Sequence, residues 1–159
     1  MNKIYFLVIL LWFSSCKKEK CSLENGITNF DSTPGVNQLQ GVYSSSDGQI
    51  KIKILPNAES GLLPNKGKIT ILRKLENDSC EQNGSFTVAN LGESSNNFDT
   101  DYVLMCAIEN GPPMATLRIA KYENNPAILL QNQFLNQEKC SEIIDGIAVD
   151  CSYLTLKKE

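Results

Sequence analysis

Ile50, Ile52 and Ile54 alternate with Gln49, Lys51 and Lys53. That period of two places apolar side chains on one face and polar ones on the other, the signature of a half-buried β-strand. Similar short runs follow at Lys68–Leu75, Ser85–Leu91, Asp101–Glu109, Ala115–Tyr122 and Ala127–Phe134, with Ile147–Leu156 closing the chain. Each is aliphatic or β-branched and bounded by turn residues. Asn83-Gly84, Asn110-Gly111-Pro112-Pro113 and Asn124-Asn125-Pro126 read as those boundaries. Asp47-Gly48 suits a type I′ turn leading back to a strand over Gly41–Ser45. Between Tyr102 and Ile108 both faces are apolar, which predicts a central strand.

No segment of ten or more residues keeps a clean helical period. About eight short strands joined by short turns predict an all-β fold, a single antiparallel meander closing into a small barrel, with a β-sandwich as the alternative. The domain expected to form it spans residues 39–159. Residues 16–38, rich in Asn, Ser, Gly and Pro, read as a tether and lead-in.

The first residues carry a different pattern. Lys3 precedes an apolar run over Ile4–Phe13, then Ser14, Ser15, Cys16 and the charged Lys17-Lys18-Glu19-Lys20. The run is far shorter than the roughly 20 residues a helix needs to cross a bilayer, so it reads as a signal peptide over residues 1–15 and not a membrane span. The Ser14-Ser15-Cys16 order resembles the lipobox of bacterial lipoproteins. That resemblance implies acylation of the Cys16 thiol (a palmitate-type anchor) and lodging in the outer membrane, on its periplasmic face or at the cell surface. Two or three chains on one cysteine give near-permanent attachment, whereas one chain binds reversibly. Leu39-Gln40-Gly41-Val42-Tyr43, at the first strand after the tether, resembles the opening of lipocalin-like envelope lipoproteins. There a glycine and an aromatic two residues on seal one end of an eight-stranded barrel.

Composition narrows the function classes. The net charge is −3, and the lysines, scattered singly or in pairs, read as a solvated surface. That balance argues against a nucleic-acid partner, which calls for a basic stripe. The chain contains no histidine, so the commonest zinc ligand and the usual neutral-pH acid–base group are both missing. Six cysteines in an exported chain point to an oxidising compartment. With no CxxC pair, redox and zinc-ribbon motifs are not expected.

With Cys16 acylated, Cys21, Cys80, Cys106, Cys140 and Cys151 remain. A two-residue turn at Asp145-Gly146 sets Cys140 opposite Cys151, about 5.5 Å apart at Cα in a hydrogen-bonded pair, within disulfide reach. Cys106 lies in the most apolar strand and is expected to stay reduced and buried. That leaves Cys21 to meet Cys80, with Cys80–Cys106 as a rival pairing.

Ser44-Ser45-Ser46 lacks a nucleophile elbow and reads as the approach to a hairpin. Asp99-Thr100-Asp101 beside Asn96 and Asn97 offers hard oxygens without the spaced ligand series of a calcium loop. Tyr43, Phe86, Tyr102, Tyr122, Phe134 and Tyr153 fall on expected strands and read as core rather than ligand cage. A pair of carboxylates is the catalytic arrangement that sequence leaves open. The expectation is a non-enzymatic, lipid-anchored binding module for an envelope or host partner, without metal or cofactor. The alternative is a lipocalin-like carrier of an apolar small molecule.

Overall fold

The computed structural model describes residues 23–57, 65–74, 79–91, 102–109, 115–131 and 153–159. Its strands are β1 (Ile27–Thr28), β2 (Gly41–Ser44), β3 (Ile50–Pro56), β4 (Lys66–Lys74), β5 (Ser79–Asn90), β6 (Tyr102–Ile108), β7 (Ala115–Tyr122), β8 (Asn125–Gln131) and β9 (Tyr153–Lys158). One short helix, α1 (Val36–Leu39), precedes β2. From β2 to β9 every strand pairs antiparallel with the next, and β9 pairs back to β2. The meander therefore closes as an eight-stranded barrel, and β1 is an extra strand on β7. Closure removes the free edges that an open sheet of this kind would expose.

Alternation decides what points inward. In β3 the three isoleucines are buried, while Lys53 and Leu55 face solvent. Registers carry that choice around the ring: Ile54 opposes Ile69 across β3–β4, and Tyr102 opposes Ile119, which opposes Ile128, which opposes Leu156. Tyr43, Ile52, Leu104, Leu117, Ile128 and Leu156 are at most 1% exposed. Each buried aliphatic side chain of this size contributes about 1.5–3 kcal/mol relative to exposure. As expected, β6 is buried on both faces over Tyr102–Leu104 and sits between β5 and β7.

One end of the barrel is plugged by the residues before β2. Phe30, Val36 and Leu39 join the main core, and Phe30 meets Tyr102 edge-on at 6.4 Å. The fully buried Tyr43 donates its hydroxyl hydrogen bond to the carbonyl of Leu39, tying α1 to the barrel wall. Gly41 has φ +149°, and the aliphatic chain of Lys158 lies where a β-carbon would project. The folded body thus extends upstream of residue 39, since Ile27, Phe30 and Val36 are all buried.

Three local readings change in the structure. Asn83-Gly84 lies in the middle of β5 rather than in a turn. The β7–β8 turn is Glu123-Asn124, both at positive φ as a type I′ turn requires, with Asn125 and Pro126 already in β8. At the β2–β3 hairpin only Gly48 has positive φ, and its N–H donates to the Ser45 carbonyl, so the loop is wider than a two-residue I′ turn. Ser45 holds that loop: its hydroxyl bonds the Asp47 carboxylate and accepts from the Ile50 N–H.

Candidate binding face

The interior and the exterior of the barrel differ in what they could hold. Inside, bulky side chains from all eight strands converge in one cluster that includes Tyr43, Ile54, Phe86, Leu104, Ile119 and Leu156. Outside, a groove of about 630 Å³ crosses β3 to β6. Its centre is the row Leu55–Lys68–Ser85–Ala107, one residue from each strand. Ser85 and Ala107 are small, so the surface dips between longer neighbours.

Gly84, next to Ser85 and in the inward register with Ile69 and Ile108, sets how closely the strands under the dip approach. A β-carbon there would lie 2.3 Å from the Ala107 carbonyl oxygen, so β5 and β6 approach as closely as they do because position 84 has no side chain. Gly67 is similar: Phe86, directly across the ladder, lays its ring over it, 2.6 Å from where a β-carbon would stand. These glycines let the sheet coil tightly enough to close. Beside the central row, Thr70 donates to the Asn83 side-chain oxygen at 2.7 Å, and the Asn83 amide donates to Glu81 at 3.2 Å.

The electrostatics of this wall run against the chain's overall sign. Lys51 and Lys53 on β3 and Lys66 and Lys68 on β4 all project outward, in phase with the alternation of their strands. Lys51 is paired with Glu159 at 2.8 Å. Lys53, Lys66 and Lys68 have no acidic partner among the described residues. Exposure adds a second mark: among the described residues the large hydrophobics exposed at 37–38%, Leu55, Leu72 and Met105, all stand on β3, β4 and β6 of the same wall. The sequence reading of scattered, merely solvated lysines is corrected here. Pairing brings Lys51/Lys53 and Lys66/Lys68 together, and the in-phase alternation of the two strands was the signal that could have found them.

The residues singled out by sequence fall elsewhere. Cys16, Cys21, Cys140 and Cys151 lie outside the described residues, as do Asp99-Thr100-Asp101 and Phe134. Cys80 is buried near the start of β5 and is disulfide-bonded. Cys106 is free and buried, and desolvation pushes its thiol up to about 12. Tyr43, Phe86 and Tyr102 are core residues, whereas Tyr122 and Tyr153 pack outside the barrel around Ile27, Ala120 and Leu129. Among the described residues no group of three or more histidine, cysteine or acidic side chains could hold a metal ion. No protein-family model, curated protein or solved structure matches this chain.

Proposed function

We propose that this protein is a lipid-anchored lipoprotein of the bacterial outer membrane, held through Cys16, whose barrel is a non-enzymatic binding module for an envelope or host partner. The observation that carries the reading is the contrast between the two sides of the wall. Inward positions are occupied by Tyr43, Ile52, Ile54, Leu104 and Leu156, each essentially without exposure, which leaves little room for the apolar ligand of a carrier. The groove across β3–β6 is open to solvent and carries Lys68, Thr70, Asn83, Ser85 and Glu109 among apolar neighbours such as Leu55 and Ala107. The absence of histidine and of a nucleophile motif in the sequence favours binding over turnover.

Two measurements test it. Detergent phase separation should place the wild type in the detergent phase and Cys16→Ala in the aqueous phase; an aqueous wild type refutes the anchor. Native mass spectrometry of protein from its own host, released from its lipid, separates the two functions. A co-purifying apolar small molecule, retained after washing, would establish the carrier instead.

A further inference from the structure

We propose that the outer face of β3–β6 binds an acidic polysaccharide, a glycan chain bearing repeated carboxylate, sulfate or phosphate groups. The inference deepens the binding-module reading and rests on it. Lys51 and Lys53 are two apart on β3, and Lys66 and Lys68 two apart on β4, so neighbours along each strand are about 6.6–6.8 Å apart. Lys53 opposes Thr70 and Lys68 opposes Leu55, which makes Lys53 and Lys68 diagonal neighbours, roughly 7–8 Å apart. Lys53, Lys68 and Lys66 thus form a band along two strands, with Lys51, paired to Glu159, at one end. A single exposed lysine–anion contact contributes only about 0–1 kcal/mol. Such a band therefore selects a ligand that engages several lysines at once, one with charge repeated along a chain.

The groove beside the band fits the uncharged part of such a ligand. Thr70, Asn83 and Ser85 offer hydroxyl and amide groups at a concave surface, the chemistry that pairs with sugar hydroxyls. Other anionic partners fit less well. Bases of a single-stranded nucleic acid stack on aromatic rings, and no aromatic side chain projects outward from the described parts of β3–β6. Protein interfaces centre on contiguous apolar and aromatic anchors and are depleted in lysine. Leu55, Leu72 and Met105 occupy separate rows, opposite Lys68, Lys51 and Thr87 respectively.

The anchoring bilayer is disfavoured by where the tether meets the barrel. Leu23 packs with Ile27, Ala120 and Leu129 on the outside of β7 and β8, which lie across the ring from β3 and β4. Leu23 lies seven positions after Cys16, and an extended chain of that length spans at most about 25 Å. Passing half-way round eight tilted strands spaced about 4.8 Å apart, outside their side chains, takes on the order of 35–40 Å. The lysine face is therefore on the side of the ring away from the point where the described chain begins, and titration with phosphatidylglycerol vesicles reads whether a membrane competes for it.

The test is calorimetric titration of residues 16–159 carrying Cys16→Ala, which lack both the apolar signal and the lipid, with a polyuronate, dextran sulfate and neutral dextran in about 150 mM salt. We expect binding to one or both acidic polymers, weakening as salt rises, and none to neutral dextran. Lys53→Glu with Lys68→Glu should lower the affinity at least tenfold, with the unfolding midpoint unchanged. Asn125→Glu, exposed at the start of β8 on the far side of the ring from β4, should leave it within twofold. Absence of binding to both acidic polymers, or binding indifferent to the Lys53/Lys68 reversal, overturns the inference. So does tighter binding to polyglutamate or to phosphatidylglycerol vesicles. In that case photocrosslinking from a reactive side chain in place of Ser85, on intact cells, tests the module reading separately. A defined protein adduct there would sustain the module while the glycan proposal fails.

Discussion

Replacing Gly84 with alanine adds one methyl group to a position where the backbone has no space for it. The new β-carbon would stand 2.3 Å from the Ala107 carbonyl oxygen and 3.1 Å from its carbon and from the α-carbon of Ile108. These are main-chain atoms of β6, so relief requires β5 and β6 to separate. Their ladder cannot do so without straining the Gly84–Ile108 pairing and the 2.8 Å bond from the Glu109 N–H to the Asn83 carbonyl. Overpacking by one methyl group costs about 1–3 kcal/mol in a core that can shift side chains. Here the obstacle is backbone, so the upper end, about 3 kcal/mol, is expected. For a domain of this size that lowers the melting temperature by on the order of 10 °C. Gly48→Ala is the internal comparison. Nothing lies within 4 Å of its added carbon, but φ is +68°, so its cost is the conformational strain alone, about 1 kcal/mol. Urea unfolding followed by far-UV circular dichroism, with equal slopes for all three proteins, measures both. A Gly84→Ala variant within 0.5 kcal/mol of wild type, or less perturbed than Gly48→Ala, would refute the claim that close approach of β5 and β6 shapes this wall.

Three further outcomes are expected. Tyr43→Phe leaves the Leu39 carbonyl without its hydroxyl donor and should cost about 1 kcal/mol, with an added increase in proteolytic cleavage around α1; equal stability and equal cleavage would show that the plug does not depend on that bond. Burial raises both the Cys106 thiol, to about 12, and the Tyr43 phenol, above its ordinary value of 10.0. Each is neutral when protonated, so stability is fully present below the unfolded thiol's value near 9 and declines as pH rises from there; unfolding free energies that stay level from pH 8 to 11.5 would contradict it. The same burial should keep Cys106 unmodified by iodoacetamide in the native protein and make it reactive in urea, as read by intact mass. For Cys80, non-reducing peptide mapping should find a bridge that excludes Cys106; a Cys80–Cys106 peptide would overturn the assignment of Cys106 as the free thiol.

Local pattern carried most of the fold. Alternation in Gln49–Leu55 needed nothing but the two-residue period of a strand, and Ile50, Ile52 and Ile54 are buried as it demands. The doubly apolar stretch from Tyr102 to Ile108 predicted a strand covered on both faces; β6 is so covered over Tyr102–Leu104, while Met105 and Ala107 face solvent. Tyr43, expected on a strand as a core residue, is fully buried and bonds the Leu39 carbonyl at the end of α1. Glycine was the least legible residue. Asn83-Gly84 has turn chemistry, yet here it lies in β5, since the same missing side chain that permits a turn also permits two strands to meet closely.

Spacing along the chain alone was enough for strand character and for inward and outward faces, and composition alone for the lack of histidine chemistry. The tertiary structure alone decided which outward residues share a surface. Lys53 and Lys68 are fifteen positions apart, and only the antiparallel register of β3 with β4 makes them neighbours. The groove is likewise invisible in one dimension, because it is made by four strands crossing at Leu55, Lys68, Ser85 and Ala107. Barrel over sandwich was decided the same way. Both satisfy an identical alternation, and the choice rests on long-range pairing of β9 with β2, which no local pattern encodes.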